Sequence, residues 1–216
     1  MGEKSKFLLI IYNLPWTQIA LDLWEAGKNQ IRRLHSQGMY EALEYETTLE
    51  LHDRKGKKAT VTKREKVRYL QDNIIAYEDQ AWGDGEFLLD YKCTPGYPVD
   101  QYRLGYKTYI LISLREVKHK NDVDEFNTEW GIKDGFLRKD EQWETEIRHR
   151  INNLTVKIIF PKSRPPLKAA VTEQTRQITR DLDQDAIRKL PDGRWLVEWE
   201  AKHPRLHEHY ILKWEW

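Results

Sequence analysis

The segment KTYILISLRE, residues 107–116, constrains the fold more than any other part of the chain. In a strand, Ile110, Ile112 and Leu114 share one face, and the opposite face is also mostly apolar. A strand with two largely apolar faces is typical of the centre of a sheet that is covered on both sides. The segment therefore predicts a central strand around which shorter amphipathic strands pair.

Period-two alternation of apolar and polar residues recurs along the chain and predicts further short strands. The clearest alternating segments, each bounded by turn residues, are 39–51, 58–63, 86–93, 125–132, 143–151, 154–160, 195–199 and 206–216. We expect hairpins between 39–51 and 58–63, between 143–151 and 154–160, and between 195–199 and 206–216. About ten antiparallel strands with frequent turns favour a mainly β protein, an antiparallel two-layer β-sandwich of immunoglobulin-like type.

The first 38 residues have a different pattern. Thr17 is a candidate N-cap for a short helix, and Gly38 is placed to end a second one. We therefore predict a short α-helical N-terminal segment, residues 1–38, which packs on a β-sandwich domain of residues 39–216. So short a helical segment is marginal by itself.

Composition limits the class of protein. The 216 residues carry 36 Lys and Arg against 35 Asp and Glu, a net charge of +1. The overall balance therefore does not favour nucleic acid or an anionic membrane. The single cysteine, Cys93, precludes an internal disulfide and indicates a reducing, cytoplasmic location. No motif for a cofactor occurs, so none is predicted, and no membrane partner is expected.

One hairpin is strongly basic. Its cationic residues, which we take as a candidate nucleic-acid surface, are Arg54, Lys55, Lys57, Lys58, Lys63, Arg64, Lys66 and Arg68. The alternative, favoured by the near-zero net charge, is an edge hairpin whose lysines prevent aggregation.

Two groups of residues are candidates for metal binding or nucleophilic catalysis. His203, His207 and His209 are candidate zinc or nickel ligands, because alternate residues of a strand project from one face. That face also carries charged residues, so a solvated polar face is the simpler interpretation. Cys93 lies at an apolar parity of its strand, which favours a buried, unreactive thiol over a catalytic nucleophile.

Nine tryptophans are an unusual number for this length. The parities of five of them predict core positions: Trp143, Trp195, Trp199, Trp214 and Trp216. The remaining candidates for an exposed aromatic platform, which would bind sugars or bases, are Trp16, Trp82 and Trp130.

These observations predict a non-enzymatic protein that acts through protein–protein contacts as an accessory or regulatory component. The candidate partner-binding residues are the apolar Phe7, Leu9, Ile11 and Trp16 of the N-terminal segment. The first alternative is a nucleic-acid-binding module that uses the hairpin 54–68. A further alternative is an enzyme whose residues come together only in three dimensions.

Overall fold

The computed structural model describes residues 38–216, which form fourteen β-strands. The strands are β1 (Tyr40–Leu51), β2 (Lys58–Tyr69), β3 (Ile74–Ala81), β4 (Glu86–Thr94), β5 (Tyr97–Leu104), β6 (Lys107–Lys118), β7 (Val123–Lys133), β8 (Asp140–Glu146), β9 (Ile151–Phe160), β10 (Lys168–Glu173), β11 (Ile178–Asp181), β12 (Ile187–Lys189), β13 (Trp195–Lys202) and β14 (His209–Glu215). One turn of 3-10 helix, Gln184–Ala186, precedes β12.

The largest sheet has seven strands in the order β12-β13-β9-β1-β2-β7-β4. The hairpin β1–β2 is confirmed, with Leu51 opposite Ala59 and Tyr40 opposite Tyr69. β1 pairs on its other side with β9 in parallel, whereas the other pairs of this sheet are antiparallel. Alternate residues of β2 are buried along its whole length, which is what an interior strand with one covered face requires.

The four-stranded sheet, β11-β10-β14-β8, supplies the second layer of the main apolar core. Leu49 and Val61 of the large sheet and Leu212 and Trp214 of β14 belong to one buried cluster. Phe160 of β9 contacts the Trp214 ring edge-on, with ring centroids 5.8 Å apart. Apolar burial between these two sheets is therefore the main stabilising contribution to the fold.

The three-stranded sheet, β3-β6-β5, contains the segment that opened the sequence analysis. β6 is its central strand, and Ile110, Ile112 and Leu114 are buried. Tyr77 of β3 stacks on Phe126 of β7 with ring centroids 4.0 Å apart, so this sheet also packs on the seven-stranded sheet. The prediction of a central strand is correct, although the strand lies at the centre of the smallest sheet.

The mainly β class is confirmed, but the strand arrangement differs from the two-layer immunoglobulin-like sandwich that we expected. The strands divide among three sheets and include a parallel pair, because β9 returns beside β1 instead of pairing with β8. The predicted hairpins β8–β9 and β13–β14 are wrong, since β8 pairs with β14 and β13 with β9. The predicted N-terminal helices lie outside the described residues.

The tryptophans predicted to be in the core are buried or partly buried. Trp214 and Trp216 are buried, and Trp143, Trp195 and Trp199 are partly buried against the core cluster. Trp130 is also buried, which removes it from the set proposed for an exposed platform. Within the part of the chain that the structure describes, no helix has the length and apolarity needed to cross a membrane.

Candidate functional site

The covered face of β2 changes chemistry halfway along the strand. Its buried side chains run from apolar Val61 to Lys63 and Glu65 and return to apolar Val67. Lys63 and Glu65 are 6% and 5% exposed, although charged side chains are seldom buried without a partner. These two residues form the centre of a buried ionic cluster.

Asp79 of β3 is the main partner of Lys63. The Lys63 ammonium donates a hydrogen bond to Asp79 Oδ1, which also accepts one from the backbone N–H of Gln80 at 2.7 Å. The Tyr91 hydroxyl donates to Asp79 Oδ2 at 2.8 Å. Burial by itself would lower the pKa of Lys63, but Asp79, Tyr45 and Glu65 outweigh it and raise that pKa. Lys63 is therefore a permanent cation.

Glu65 is the less well compensated carboxylate of the cluster. The Tyr77 hydroxyl donates to Glu65 Oε2 at 2.5 Å, but the Lys63 ammonium lies 3.9 Å from that oxygen. Burial raises the pKa of Glu65 in spite of these contacts, and the nearby Asp79 carboxylate raises it further.

A second ion pair lies beside the first on β3. Arg148 Nη2 donates to Glu78 Oε1 at 3.2 Å, and the Tyr102 hydroxyl donates to Glu78 Oε2 at 2.5 Å. Among the described residues, the cluster brings the carboxylates of Glu65, Glu78 and Asp79 together with the cations Lys63 and Arg148. The burial of Glu65 near the Asp79 carboxylate accounts for its raised pKa.

The cluster lines a cavity of about 780 Å³ that lies where the three sheets approach each other. Exposed Asp84 and Arg138 line its outer part, so the cavity is continuous with solvent, whereas Lys63 and Asp79 lie at its buried part. Volumes of this order are common in pockets that bind small molecules.

Glu144 and Glu146 of β8 form a further group in the cavity wall. Lys107 Nζ donates to Glu146 Oε2 at 2.6 Å and Gln80 Nε2 donates to the same oxygen at 3.0 Å. Burial would raise the pKa of Glu146, but these two donors outweigh it and lower that pKa. A ring nitrogen of His209 contacts Glu144, which also accepts a hydrogen bond from Trp82 Nε1 at 3.4 Å.

The structure divides the predicted basic hairpin into two groups. Arg54, Lys55 and Lys57 of the turn and Lys58, the first residue of β2, are exposed. The later residues of β2 are engaged differently. Lys63 is buried, Arg64 pairs with Glu44 at 2.9 Å and with Glu125 at 3.4 Å, and Arg68 pairs with Glu41 at 3.1 Å. Lys66 is half-buried on the same face as Arg64. The interpretation as an edge hairpin is wrong, because β2 lies between β1 and β7.

The three candidate metal-ligating histidines are not brought together. β14 begins at His209, whereas His207 lies in the preceding turn with φ 63°, so the two do not share the strand face that we expected. His203 also has a positive φ, 47°. Across residues 38–216, no three His, Cys, Asp or Glu side chains form a group able to hold a metal ion.

The environment of Cys93 is unsuited to a nucleophile. Burial, reinforced by the charge of Asp79, raises the pKa of the Cys93 thiol to about 12. The thiolate, which is the reactive form, is therefore scarce at neutral pH. Cys93 contacts the Pro95 carbonyl oxygen at 3.5 Å and does not line the cavity.

A different feature stands out on the surface of the three-stranded sheet. Four large apolar side chains within ten residues are exposed, namely Tyr97, Val99, Leu104 and Tyr106. They lie on β5 and in the turn that follows it, and β5 is the outer strand of its sheet. The predicted partner-binding residues Phe7, Leu9, Ile11 and Trp16 lie outside the described residues.

Sequence reasoning missed both the ionic cluster and the β5 surface. The sequence pattern predicts Lys63 on the surface of a basic hairpin, although Lys63 and Glu65 continue the inward parity of Val61 and Val67. That parity was the available signal for burial. No signal linked Lys63 to Asp79, which lies sixteen residues further along the chain, on a strand of another sheet.

Comparison with known proteins yields similarity of fold alone. Neither a protein-family model nor a curated protein matches the sequence. Among solved structures, a putative protease from Parabacteroides distasonis ATCC 8503 has a TM-score of 0.50 and 7% identity over 82% of this chain. An M1 zinc metallopeptidase from Deinococcus radiodurans has a TM-score of 0.47 and 7% identity over the same share. The present chain spans only 40% and 42% of those two proteins, respectively, and at this identity the likeness concerns the fold.

Proposed function

We propose that this protein is a non-enzymatic accessory or regulatory component that binds a protein partner, and that the β5 surface is the principal contact. The observation that carries the proposal is the exposure of Tyr97, Val99, Leu104 and Tyr106 on one outer strand and its turn. Large exposed apolar side chains that are concentrated in one segment point to an interaction surface, whereas singly scattered ones need no such explanation. The N-terminal residues Phe7, Leu9, Ile11 and Trp16 are a second proposed contact.

The position of β5 adds backbone hydrogen bonding to this surface. The outer edge of a terminal strand presents N–H and C=O groups to which an extended segment of a partner pairs. Pro98 and the irregular pairing between Pro98 and Asp100 interrupt the first half of β5. The regular second half, which pairs with β6 from Gln101 to Leu104, is therefore the part that we propose receives the partner strand.

A binding role, as opposed to a catalytic one, is supported by the candidate reactive groups. The raised pKa of Cys93, which does not line the cavity, disfavours it as a nucleophile, and the cluster cations Lys63 and Arg148 are each paired with a carboxylate. The raised pKa of Glu65 favours the enzyme alternative, since enzymes raise the pKa of a carboxyl group that acts as a general acid. The proposal includes a cytoplasmic location, which is supported by the single cysteine, Cys93, because a chain with one cysteine forms no internal disulfide.

The test is affinity capture from nuclease-treated lysate at low and high salt, with the full chain as bait. Leu104→Asp is compared with Leu167→Asp, because these leucines are 65% and 66% exposed but Leu167 lies outside the three-stranded sheet. We expect a stoichiometric protein that withstands high salt and is lost with Leu104→Asp alone. Equal capture by both variants would remove β5 as the contact.

The same capture, repeated without nuclease treatment, tests nucleic-acid binding by the exposed hairpin residues Arg54, Lys55, Lys57 and Lys58. If nucleic acid is recovered without nuclease at low salt and lost at high salt, the basic hairpin becomes the better explanation, because phosphate contacts are strongly salt-dependent.

A further inference from the structure

Among the described residues, the wall of the cavity between the sheets is richer in acidic side chains than the protein as a whole. The net charge of the chain is +1, yet ten acidic side chains and only five lysines and arginines line the cavity. In its buried part, the Glu65 carboxylate lies 3.9 Å from the Lys63 ammonium, whose hydrogen bond goes to Asp79 instead. A low-dielectric pocket with an excess of carboxylates attracts cations and excludes anions.

A buried hydroxyl in the same wall has no partner among residues 38–216. Thr47 is 1% exposed and lines the cavity, and its Oγ1 makes no hydrogen bond. In the β1–β2 register Thr47 lies opposite Lys63, two pairs along from Tyr45 opposite Glu65 and on the same face of the sheet. A buried polar group without a partner is unfavourable, so a group that enters the cavity and donates a hydrogen bond to Thr47 Oγ1 is favoured.

Aromatic rings form much of the remaining wall. Nine aromatic side chains line the cavity, and Phe87 and Trp143 among them are only partly buried. Aromatic faces attract ammonium and guanidinium groups and also cover the apolar part of such a ligand. The protein already uses this contact, since Lys107 Nζ lies 4.8 Å from the centroid of the Trp82 ring.

We propose that the cavity binds a small organic cation whose ammonium or guanidinium group is held by the Glu65 carboxylate and the Thr47 hydroxyl. The apolar part of the ligand lies against the aromatic wall towards Trp143, and the exposed Asp84 side of the cavity is the entrance. The ligand contacts are not those of the β5 surface, because neither Leu104 nor Tyr106 lines the cavity, although the Tyr106 ring packs edge-on against Trp82 of the cavity wall. The test of the cavity is therefore independent of the proposed partner.

The experiment is calorimetric titration of the full chain with 2-phenylethylammonium and agmatine, in comparison with the neutral 2-phenylethanol and the anionic 3-phenylpropionate. We expect the cations to bind, the alcohol to bind at least tenfold more weakly, and the anion not to bind. A charge-assisted hydrogen bond worth about 1.5–3 kcal/mol accounts for a factor of that size. Failure of both cations to bind the folded protein, or equal binding of amine and alcohol, would overturn the proposal.

Two cavity variants and one control variant locate the binding site. Glu65→Gln keeps an acceptor for Tyr77 and removes the charge, so we expect at least a tenfold loss of amine affinity with the fold retained. Glu198→Gln is the control, because Glu198 pairs with Lys157 and Arg188 and does not line the cavity. Thr47→Val gives a second, smaller loss that does not alter charge. Unchanged affinity in both cavity variants would refute the assignment to Glu65 and Thr47.

Discussion

Replacement of Lys63 by methionine tests whether the buried cluster depends on its central cation. Methionine is also long and unbranched, so it fills much of the same space. The substitution leaves the carboxylates of Asp79 and Glu65 buried without the cation that both contact. Removal of one partner from a buried ion pair typically costs about 3–5 kcal/mol, because the remaining charge is uncompensated.

The cost is a large share of the free energy of unfolding, which is about 5–15 kcal/mol for ordinary domains. For a domain of this size it corresponds to a fall in Tm of roughly 6–20 °C. Urea unfolding followed by tryptophan fluorescence at neutral pH measures it, with circular dichroism as the second probe. The m-value must stay constant for the comparison of free energies to hold.

Two further variants show whether charge is the cause. Lys63→Met combined with Asp79→Asn removes both charges of the pair, so we expect the double variant to be more stable than Lys63→Met alone. Lys133→Met breaks an exposed contact to Glu86 of 2.9 Å and should leave stability unchanged within error. The reasoning is refuted if Lys63→Met costs no more than Lys133→Met, or if neutralising Asp79 makes the loss larger.

Two other predictions concern stability. The pKa of Glu65 is raised in the folded state, so between the unfolded-state pKa and the folded-state pKa the folded protein binds more protons than the unfolded chain. The free energy of unfolding therefore falls as pH rises between these two pKa values. Glu65→Gln should therefore gain stability relative to wild type as pH rises above the ordinary glutamate pKa of about 4.5, and a difference that is constant with pH in urea unfolding would contradict this. Gly56→Ala should lower Tm more than Gly105→Ala does. Both glycines have a positive φ, 68° and 62°, so the backbone strain is similar. A Cβ at Gly56 would lie 1.6 Å from the Phe136 carbonyl oxygen, whereas a Cβ at Gly105 would meet no atom within 4 Å. Equal losses would show that the φ angle, and not the contact with Phe136, sets the cost.

The sequence alone determined the β-strand content, because alternation of side chains is a local property that survives any arrangement of the sheets. It located β6 and the β1–β2 hairpin for this reason, and it placed Trp214 and Trp216 in the core. The turn between β1 and β2 is short, so pairing of the two strands followed from chain connectivity.

Tertiary structure decided which strands pair over long distances. Nothing local shows that β9 returns beside β1 in parallel, or that β13 and β14 belong to different sheets, because these pairings depend on how whole layers cover one another. The cavity also results from the packing of whole sheets on one another. Lys63 and Asp79 are unremarkable charged residues in sequence, and only the packing of the three-stranded sheet on the seven-stranded sheet buries them against each other. Burial removes the solvent that would screen them, and so converts surface-type residues into a charged pocket.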